Sequence, residues 1–119
     1  MSVASDLIRG NTDTIILAIL AEGDNYGYGI NRVIRQATKY GADALVCEEA
    51  TLYIAFRRLE DSGCISSYWG DEESGARRRY YHLTEQGRKA YAENLAEWEK
   101  SKSIIESLIY GTGKTEGSI

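Results

Sequence analysis

The chain has 119 residues, of which 43% are hydrophobic and 27% charged, and its formal net charge is −4. A chain of this length and composition folds as one globular domain with its own core, which excludes an intrinsically disordered protein. The sequence contains no proline. Because proline is the residue that most often interrupts helices, a mainly helical fold is predicted.

Cysteine and histidine usage argues against a metal centre. Cys47 and Cys64 are too far apart for a CxxC pair, and His82 is the only histidine in the sequence. No apolar run approaches the roughly 18 residues that a membrane span requires, and the N-terminus has no signal-peptide pattern. We therefore expect a cytoplasmic protein with reduced thiols that binds no metal, cofactor or membrane.

Three helices are predicted in the first half of the chain, each from apolar residues spaced i, i+3, i+4. The first follows a short amphipathic preface, is capped by Thr12 or Asp13 and closes near Gly23; the second covers 27–40 and the third 48–63. The positions expected to be buried are Ile15, Ile16, Ile19 and Leu20 in the first helix, Ile30, Val33, Ile34 and Ala37 in the second, and Leu52, Ala55, Phe56 and Leu59 in the third.

A β-hairpin is predicted after these helices. The segments 64–69 and 77–83 are rich in β-favouring residues, and a polar loop with two glycines separates them. Period-two alternation places Ile65, Ser67 and Trp69 on one face of the hairpin.

One long helix is predicted to follow the hairpin. It starts at the N-cap Thr84 and carries a heptad-like stripe of Tyr91, Leu95, Trp98, Lys102, Ile105 and Ile109. The order of elements predicts a mainly α protein. Residues 1–83 are predicted to form a winged helix-turn-helix DNA-binding domain, with an N-terminal helix, three helices and a two-stranded wing. Residues 84–110 are predicted to form a C-terminal dimerisation helix, and residues 111–119 a flexible tail.

Basic charge is concentrated in the predicted wing. Between Arg77 and Lys89 there are five basic residues and one acidic residue, Glu85, although the whole chain is acidic. Phosphate contacts supply much of the affinity of DNA-binding proteins. On the third helix, the residues outside the buried stripe are short and polar near its start and basic in its middle, which is typical of a helix that enters a major groove.

Simpler structural roles remain open for several of these residues. The arginines at 77–79 are also compatible with a solvated turn balanced by the acidic residues at 71–73. Arg58 is expected to pair with Glu60 or Asp61 on its own helix. Tyr80 and Tyr81 are expected to pack in the sheet rather than to contact nucleic acid, and His82 is expected to fill a strand position rather than to act as a titrating switch.

No catalytic constellation is present. The segment "YGTGKT" over 110–115 resembles the end of a phosphate-binding loop, but Leu108 stands where that pattern requires a glycine. The sequence contains no paired carboxylates, serine–histidine pair or metal-ligand spacing that would indicate an active site. The prediction is therefore that the protein is not an enzyme.

Two motifs carry a family resemblance. The "DNYGYGI" stretch and the run "TLYIAFRRLEDSGCISSYWGDEESGARRRYYHLTEQG" resemble the PadR family of winged-helix repressors, and the resemblance covers roughly residues 7–109. The wing and the tryptophan of the last helix are similar to the multidrug-responsive branch typified by LmrR. The resemblance implies a homodimer, joined through the last helix and the N-terminal helix, that binds double-stranded operator DNA. The DNA contacts it implies are Tyr26, Tyr28, Thr51, Tyr53, Arg57, Gly75, Arg77 and Arg78.

The same branch binds a planar aromatic molecule between two tryptophans at the dimer interface, and Trp98 matches that position. The resemblance implies a ligand site lined by Leu7, Thr14, Leu17, Ala18, Tyr91, Leu95, Trp98 and Lys102. Leu95 and Lys102 depart from the branch, which has an aromatic residue and an acid there, and a lysine favours neutral or anionic ligands. Trp98 also fits a simpler role as an anchor of the dimer core. An alternative function is a winged-helix protein-interaction module without sequence-specific DNA binding.

Overall fold

The computed structural model describes residues 3–37, 49–70 and 77–111. Within these ranges, helices dominate and three short strands form one sheet, which confirms the predicted winged-helix class. Gly75 and Cys47, both named above, lie outside the described residues. The elements in chain order are α1 (Val3–Gly10), α2 (Thr12–Ala21), β1 (Asn25–Tyr26), α3 (Gly27–Ala37), α4 (Glu49–Asp61), β2 (Ile65–Trp69), β3 (Arg79–Leu83) and α5 (Glu85–Tyr110).

The core lies between α2, α3, α4 and the inner face of the sheet. All four residues of the predicted α4 stripe are buried, as the helical spacing predicts. The ring of Phe56 on α4 stacks against that of Tyr81 on β3, with centroids 4.5 Å apart. The buried hydrophobic residues are Ile16, Leu17, Leu20, Ile30, Ile34, Leu52, Ala55, Phe56, Leu59, Cys64, Ile65, Tyr81 and Leu83.

The start of α2 differs from the sequence prediction. The N-cap is Asn11, whose side chain makes no capping hydrogen bond, rather than Thr12 or Asp13. The Thr12 hydroxyl instead lies 3.2 Å from the carbonyl oxygen of Ile8 and 3.0 Å from that of Arg9. The reason is that α1 runs almost directly into α2, so carbonyls at the end of α1 occupy the hydroxyl that would otherwise cap α2.

The buried faces of α2 and α3 are also narrower than predicted. On α2, Ile15 and Ile19 are only half-buried. On α3, Val33 is 43% exposed and Ala37 is exposed, whereas Asn31 is buried. Helical spacing of apolar residues assigned Val33 and Ala37 to the core, but α3 packs on α4 and the sheet only along one narrow stripe.

The wing is part of a three-stranded antiparallel sheet with the order β1-β3-β2. The sequence predicted only two of these strands, because β1 has two residues and is too short to display a period of two. Strand β3 begins at Arg79 rather than at Arg77. Ile65 is buried, but Trp69, at the far end of the same strand, is 55% exposed.

Helix α5 begins at the predicted cap. The Thr84 hydroxyl accepts a hydrogen bond of 3.0 Å from the Gly87 N–H and lies 2.6 Å from the carbonyl oxygen of Gly63. The first half of α5 packs on α2 and β3. Large apolar side chains of its second half are exposed. In the described part of the chain, no helix is long and apolar enough to cross a membrane.

Gly87 is required where α5 crosses the end of the hairpin. A Cβ atom on this residue would lie 2.0 Å from the carbonyl oxygen of Cys64, which is backbone and cannot rotate away. We expect Gly87→Ala to lower the free energy of unfolding by about 1–3 kcal/mol through overpacking. Urea unfolding followed by circular dichroism measures the change. Gly10→Ala is the matched control, because a Cβ there has no neighbour within 4 Å, and an equal loss in both variants would contradict the packing argument.

Candidate nucleic-acid interface

The predicted DNA contact Tyr53 on α4 lies close to the start of α3. Tyr53 is 50% exposed on α4, and its ring meets that of Phe56 edge-on at a centroid distance of 5.5 Å. A Cβ on Gly27, the first residue of α3, would lie only 3.0 Å from the Tyr53 hydroxyl oxygen. A glycine at this position therefore allows α4 to approach the start of α3 closely. Thr51 is half-buried two residues before Tyr53.

The two adjacent arginines of α4 have different environments. Arg57 is exposed and, among the residues that the structure describes, has no ion-pair partner. Arg58 pairs with Asp13 on α2, and its Nε donates to Asp13 Oδ2 at 3.3 Å. The predicted pairing of Arg58 with Glu60 or Asp61 is therefore wrong. The hydrogen bond and the negative charge of Asp13 raise the pKa of Arg58 above its ordinary value.

Four tyrosines form a connected row across the outer face of the sheet and the start of α3. We call Tyr28, Tyr26, Tyr80 and Tyr68 the tyrosine row. The ring of Tyr26 stacks on Tyr28 at 6.4 Å and meets Tyr80 edge-on at 5.5 Å, measured between centroids. Tyr80 in turn stacks on Tyr68 at 5.7 Å. The row therefore joins α3, β1, β3 and β2 on the side of the sheet opposite to the core.

The three wing arginines are placed differently. Arg78 lies over the ring of Tyr26, with 4.7 Å from its Cζ to the ring centroid, and Arg77 lies over Trp69 at 5.6 Å. Arg79 instead donates to Glu60 Oε1 on α4 at 3.3 Å and to Ser67 Oγ at 2.8 Å. Arg79 thus ties the wing to α4, and its Cζ also lies 6.0 Å from the centroid of the Tyr81 ring.

Asp24 was missed by the sequence analysis. It lies in the turn before β1 and accepts a hydrogen bond of 2.6 Å from the Tyr68 hydroxyl through Oδ2. Its Oδ1 is 2.8 Å from His82 Nδ1, so the imidazole, predicted only to pack in the sheet, also bonds to this turn. The Tyr68 hydrogen bond is the main cause that holds the pKa of Asp24 below its ordinary value. No local spacing signals this contact, because 44 residues separate its partners.

An apolar groove of about 320 Å³ lies between α1, α2 and α5. Six of the eight predicted ligand residues line it: Leu7, Thr14, Ala18, Tyr91, Leu95 and Trp98. Leu17 does not, because it is fully buried on the core side of α2. Lys102 is also outside the lining of this groove, and its Nζ is 3.1 Å from Glu99 Oε1. The ion pair with Glu99 offsets the positive charge that Lys102 was predicted to add.

The geometry agrees with the result of a family comparison. A family model described as "Transcriptional regulator PadR-like family" matches residues 16–93, which include α3, α4 and the wing. The chain belongs to the PadR-like family. Members of this family are transcription regulators and not enzymes.

Solved structures of PadR-like and related regulators have the same fold. A transcriptional regulator from Clostridium thermocellum is 48% identical, with a TM-score of 0.73 over 86% of this chain and 96% of that one. A PadR family regulator from Clostridium difficile is 32% identical, with a TM-score of 0.72 over 83% and 98%. PadR of Bacillus subtilis, solved with operator DNA, is 20% identical, with a TM-score of 0.61 over 71% and 46%. At that identity the last similarity concerns the fold alone.

Proposed function

We propose that this PadR-like regulator is a repressor that binds double-stranded operator DNA as a homodimer. The observation that carries the proposal is one continuous line of contacts from α4 to the wing. Tyr53 on α4 meets Gly27 at the start of α3, and on either side of Gly27 stand Tyr26 and Tyr28. Arg78 from the wing lies over Tyr26. A surface that joins a helix, a helix start and a basic wing fits a duplex.

The distribution of charge supports the same surface. Two arginines are used inside the protein, Arg58 with Asp13 and Arg79 with Glu60. Arg57 is exposed on α4, and Arg77 and Arg78 are exposed on the wing, where they lie over the exposed ring of Trp69 and the half-buried ring of Tyr26. We therefore assign phosphate contacts to Arg57, Arg77 and Arg78, and contacts to base edges to Thr51 and Tyr53. Gly75 remains a proposed wing contact from the family resemblance. In this assignment 1–83 binds DNA and 84–110 dimerises.

Replacement of Arg77 and Arg78 together by alanine tests the wing. We expect the double variant to bind every duplex more weakly, because phosphate contacts are independent of sequence. The slope of log affinity against log salt concentration should fall by about one for each phosphate that the variant no longer neutralises. Fluorescence anisotropy measures both, with a random-sequence duplex and with an operator selected from a randomised pool.

Arg79→Ala is the matched control for this experiment. It removes one positive charge from the next position, but Arg79 is bonded to Glu60 and Ser67, so the salt slope should not change. An unchanged affinity and slope in a folded Arg77→Ala, Arg78→Ala variant would remove the wing from the DNA site. A wild-type chain without a steep salt slope on any duplex would instead favour the protein-interaction module.

Dimerisation is proposed from the second half of α5. Leu108 and Ile109 are 77% and 70% exposed, and Ile104, Ile105 and Tyr110 beside them are exposed as well. These side chains continue the stripe that starts at the apolar groove on the same helix. A cluster of this size on an isolated helix end is unfavourable in water. The proposed occupant is the same surface of a second copy of the chain, which a palindromic operator would match by two-fold symmetry.

Carboxylates introduced into this stripe test the dimer. We expect Ile105→Asp with Ile109→Asp to convert a dimer into a monomer, because each carboxylate would be desolvated in a packed seam. Sedimentation velocity gives the oligomeric state, and circular dichroism reports whether the helices remain. Ser103→Asp introduces one such carboxylate on another face of α5 and should leave the dimer intact. A stable wild-type monomer at micromolar concentration would contradict the proposal.

A planar aromatic effector is the third part of the proposal. The groove beside Trp98 is lined mainly by apolar side chains, and a half-buried indole ring favours planar partners by stacking. Lys102 does not line the groove and its charge is partly offset by Glu99, so we expect neutral compounds to bind best, and anionic ones to bind better than cationic ones only through the remaining charge of Lys102.

Tryptophan fluorescence tests the effector. A matched panel of neutral, anionic and cationic planar compounds should quench the wild-type protein in a saturable way, and Trp98→Ala should abolish the effect. Trp69→Phe is the control, because it removes the other indole, which is exposed on the wing. Tighter binding of cationic compounds would overturn the charge preference. Without saturable quenching by any compound, Trp98 is an anchor of the dimer core.

A further inference from the structure

Four residues around the wing form a closed ring of contacts. The Tyr68 hydroxyl donates to Asp24 Oδ2 at 2.6 Å, and the Tyr68 ring stacks on Tyr80. Tyr80 meets Tyr26 edge-on, and Tyr26 follows Asp24 by two residues in the chain. We call these residues, Asp24, Tyr26, Tyr80 and Tyr68, the wing brace. Three noncovalent contacts and the short chain link between Asp24 and Tyr26 therefore close the ring.

The wing brace lies apart from the hydrophobic core. Its three rings are on the outer face of the sheet, whereas Tyr81 and Leu83 on the inner face are buried. Tyr68 is exposed over nearly half of its surface, and Asp24 is exposed. Exposed hydrogen bonds and half-exposed ring pairs contribute little to global stability. Core packing therefore does not explain why the contacts of the wing brace form a closed set on the outer face of the sheet.

Arg78 is the residue that the wing brace positions. Its guanidinium lies 4.7 Å from the centroid of the Tyr26 ring, and Tyr26 is held by Tyr80. The backbone carbonyl of Arg78 also accepts a hydrogen bond of 2.7 Å from the Gly70 N–H, which fixes the chain on the other side of the hairpin. The contact with the ring of Tyr26 therefore helps to place the guanidinium near the start of α3.

We propose that Asp24 and Tyr68 are positioning residues for DNA binding, because through the wing brace they hold Arg78 in the place from which it contacts a phosphate. This inference rests on the proposed function. An arginine held on a ring before binding loses less side-chain freedom when the duplex arrives than one that moves freely in solvent. The wing brace changes the affinity of a phosphate contact without adding a contact of its own.

Two substitutions of Tyr68 test the wing brace on a random-sequence duplex and on the selected operator. Tyr68→Phe keeps the ring and removes the hydrogen bond to Asp24, and Tyr68→Leu removes both. We expect affinity to fall about twofold in the first and up to about tenfold in the second, the range for immobilising one long side chain. The salt slope should stay at the wild-type value in both, because the number of phosphate contacts is unchanged.

A double-mutant cycle with Arg78→Ala separates positioning from other roles. In the Arg78→Ala background, the Tyr68 substitutions should have no further effect on affinity, because the side chain that they position is gone. Asp24→Ala removes the same hydrogen bond from outside the wing, together with the contact to His82 Nδ1, and should lower affinity at least as much as Tyr68→Phe does. Thermal unfolding of each variant checks that the protein remains folded at the temperature of the binding measurement.

Different outcomes overturn different statements. If the Tyr68 and Asp24 variants keep wild-type affinity while Arg78→Ala weakens binding, the wing brace is refuted and the proposed function stands. If the affinity decreases persist unchanged in the Arg78→Ala background, Tyr68 acts on the duplex or on folding directly, and the positioning role is also refuted. A wild-type protein that binds neither duplex overturns the proposed function and this inference together.

Discussion

The stack of Phe56 on Tyr81 determines how α4 packs against the wing. The positions of most residues of the candidate DNA surface depend on this packing. Both rings are buried, with 4.5 Å between their centroids. Because side chains alternate along a strand, burial of Tyr81 directs Tyr80 and His82 to the outer face of β3. There Tyr80 meets Tyr26, and His82 meets Asp24. The same stack directs the opposite side of α4, with Arg57, to solvent.

An acidic protein needs a way to keep positive charge available on one surface. Arg58 and Arg79 each form an ion pair between two elements: Arg58 joins α4 to α2, and Arg79 joins the wing to α4. Exposed ion pairs of this kind contribute at most about 1 kcal/mol each, so their main effect is on geometry. They orient α4 against α2 and against the wing. An arginine that rests on an aromatic ring keeps its positive charge, because the ring carries no net negative charge that would neutralise it.

Helix α5 combines two environments in one continuous element. Its first half is held by the Thr84 cap and by the close approach of Gly87 to the Cys64 carbonyl, which fix its direction relative to the hairpin. Its second half carries exposed isoleucine and leucine side chains. A groove lined by Trp98 lies where the two halves meet, beside α1 and α2. Any ligand or second copy that contacts this groove also contacts α2, which Asp13 connects to Arg58 on α4.

The sequence by itself determined the features that depend on neighbours within one turn or one strand. The buried stripe of α4, the Thr84 cap, the order of helices and wing, and the family itself could all be predicted, because local spacing decides which side chains share a face. Trp98 and five other groove residues were found through the family resemblance.

Only the tertiary structure decided which faces meet. It exposed Val33 and buried Asn31, it placed Leu17 in the core, and it added the two-residue strand β1. The bonds from Asp24 to Tyr68 and to His82, and the pair of Arg58 with Asp13, join residues 44, 58 and 45 positions apart. Periodicity carries no information over such separations, because these contacts exist only after the core has brought the turn before β1, the wing and α4 together.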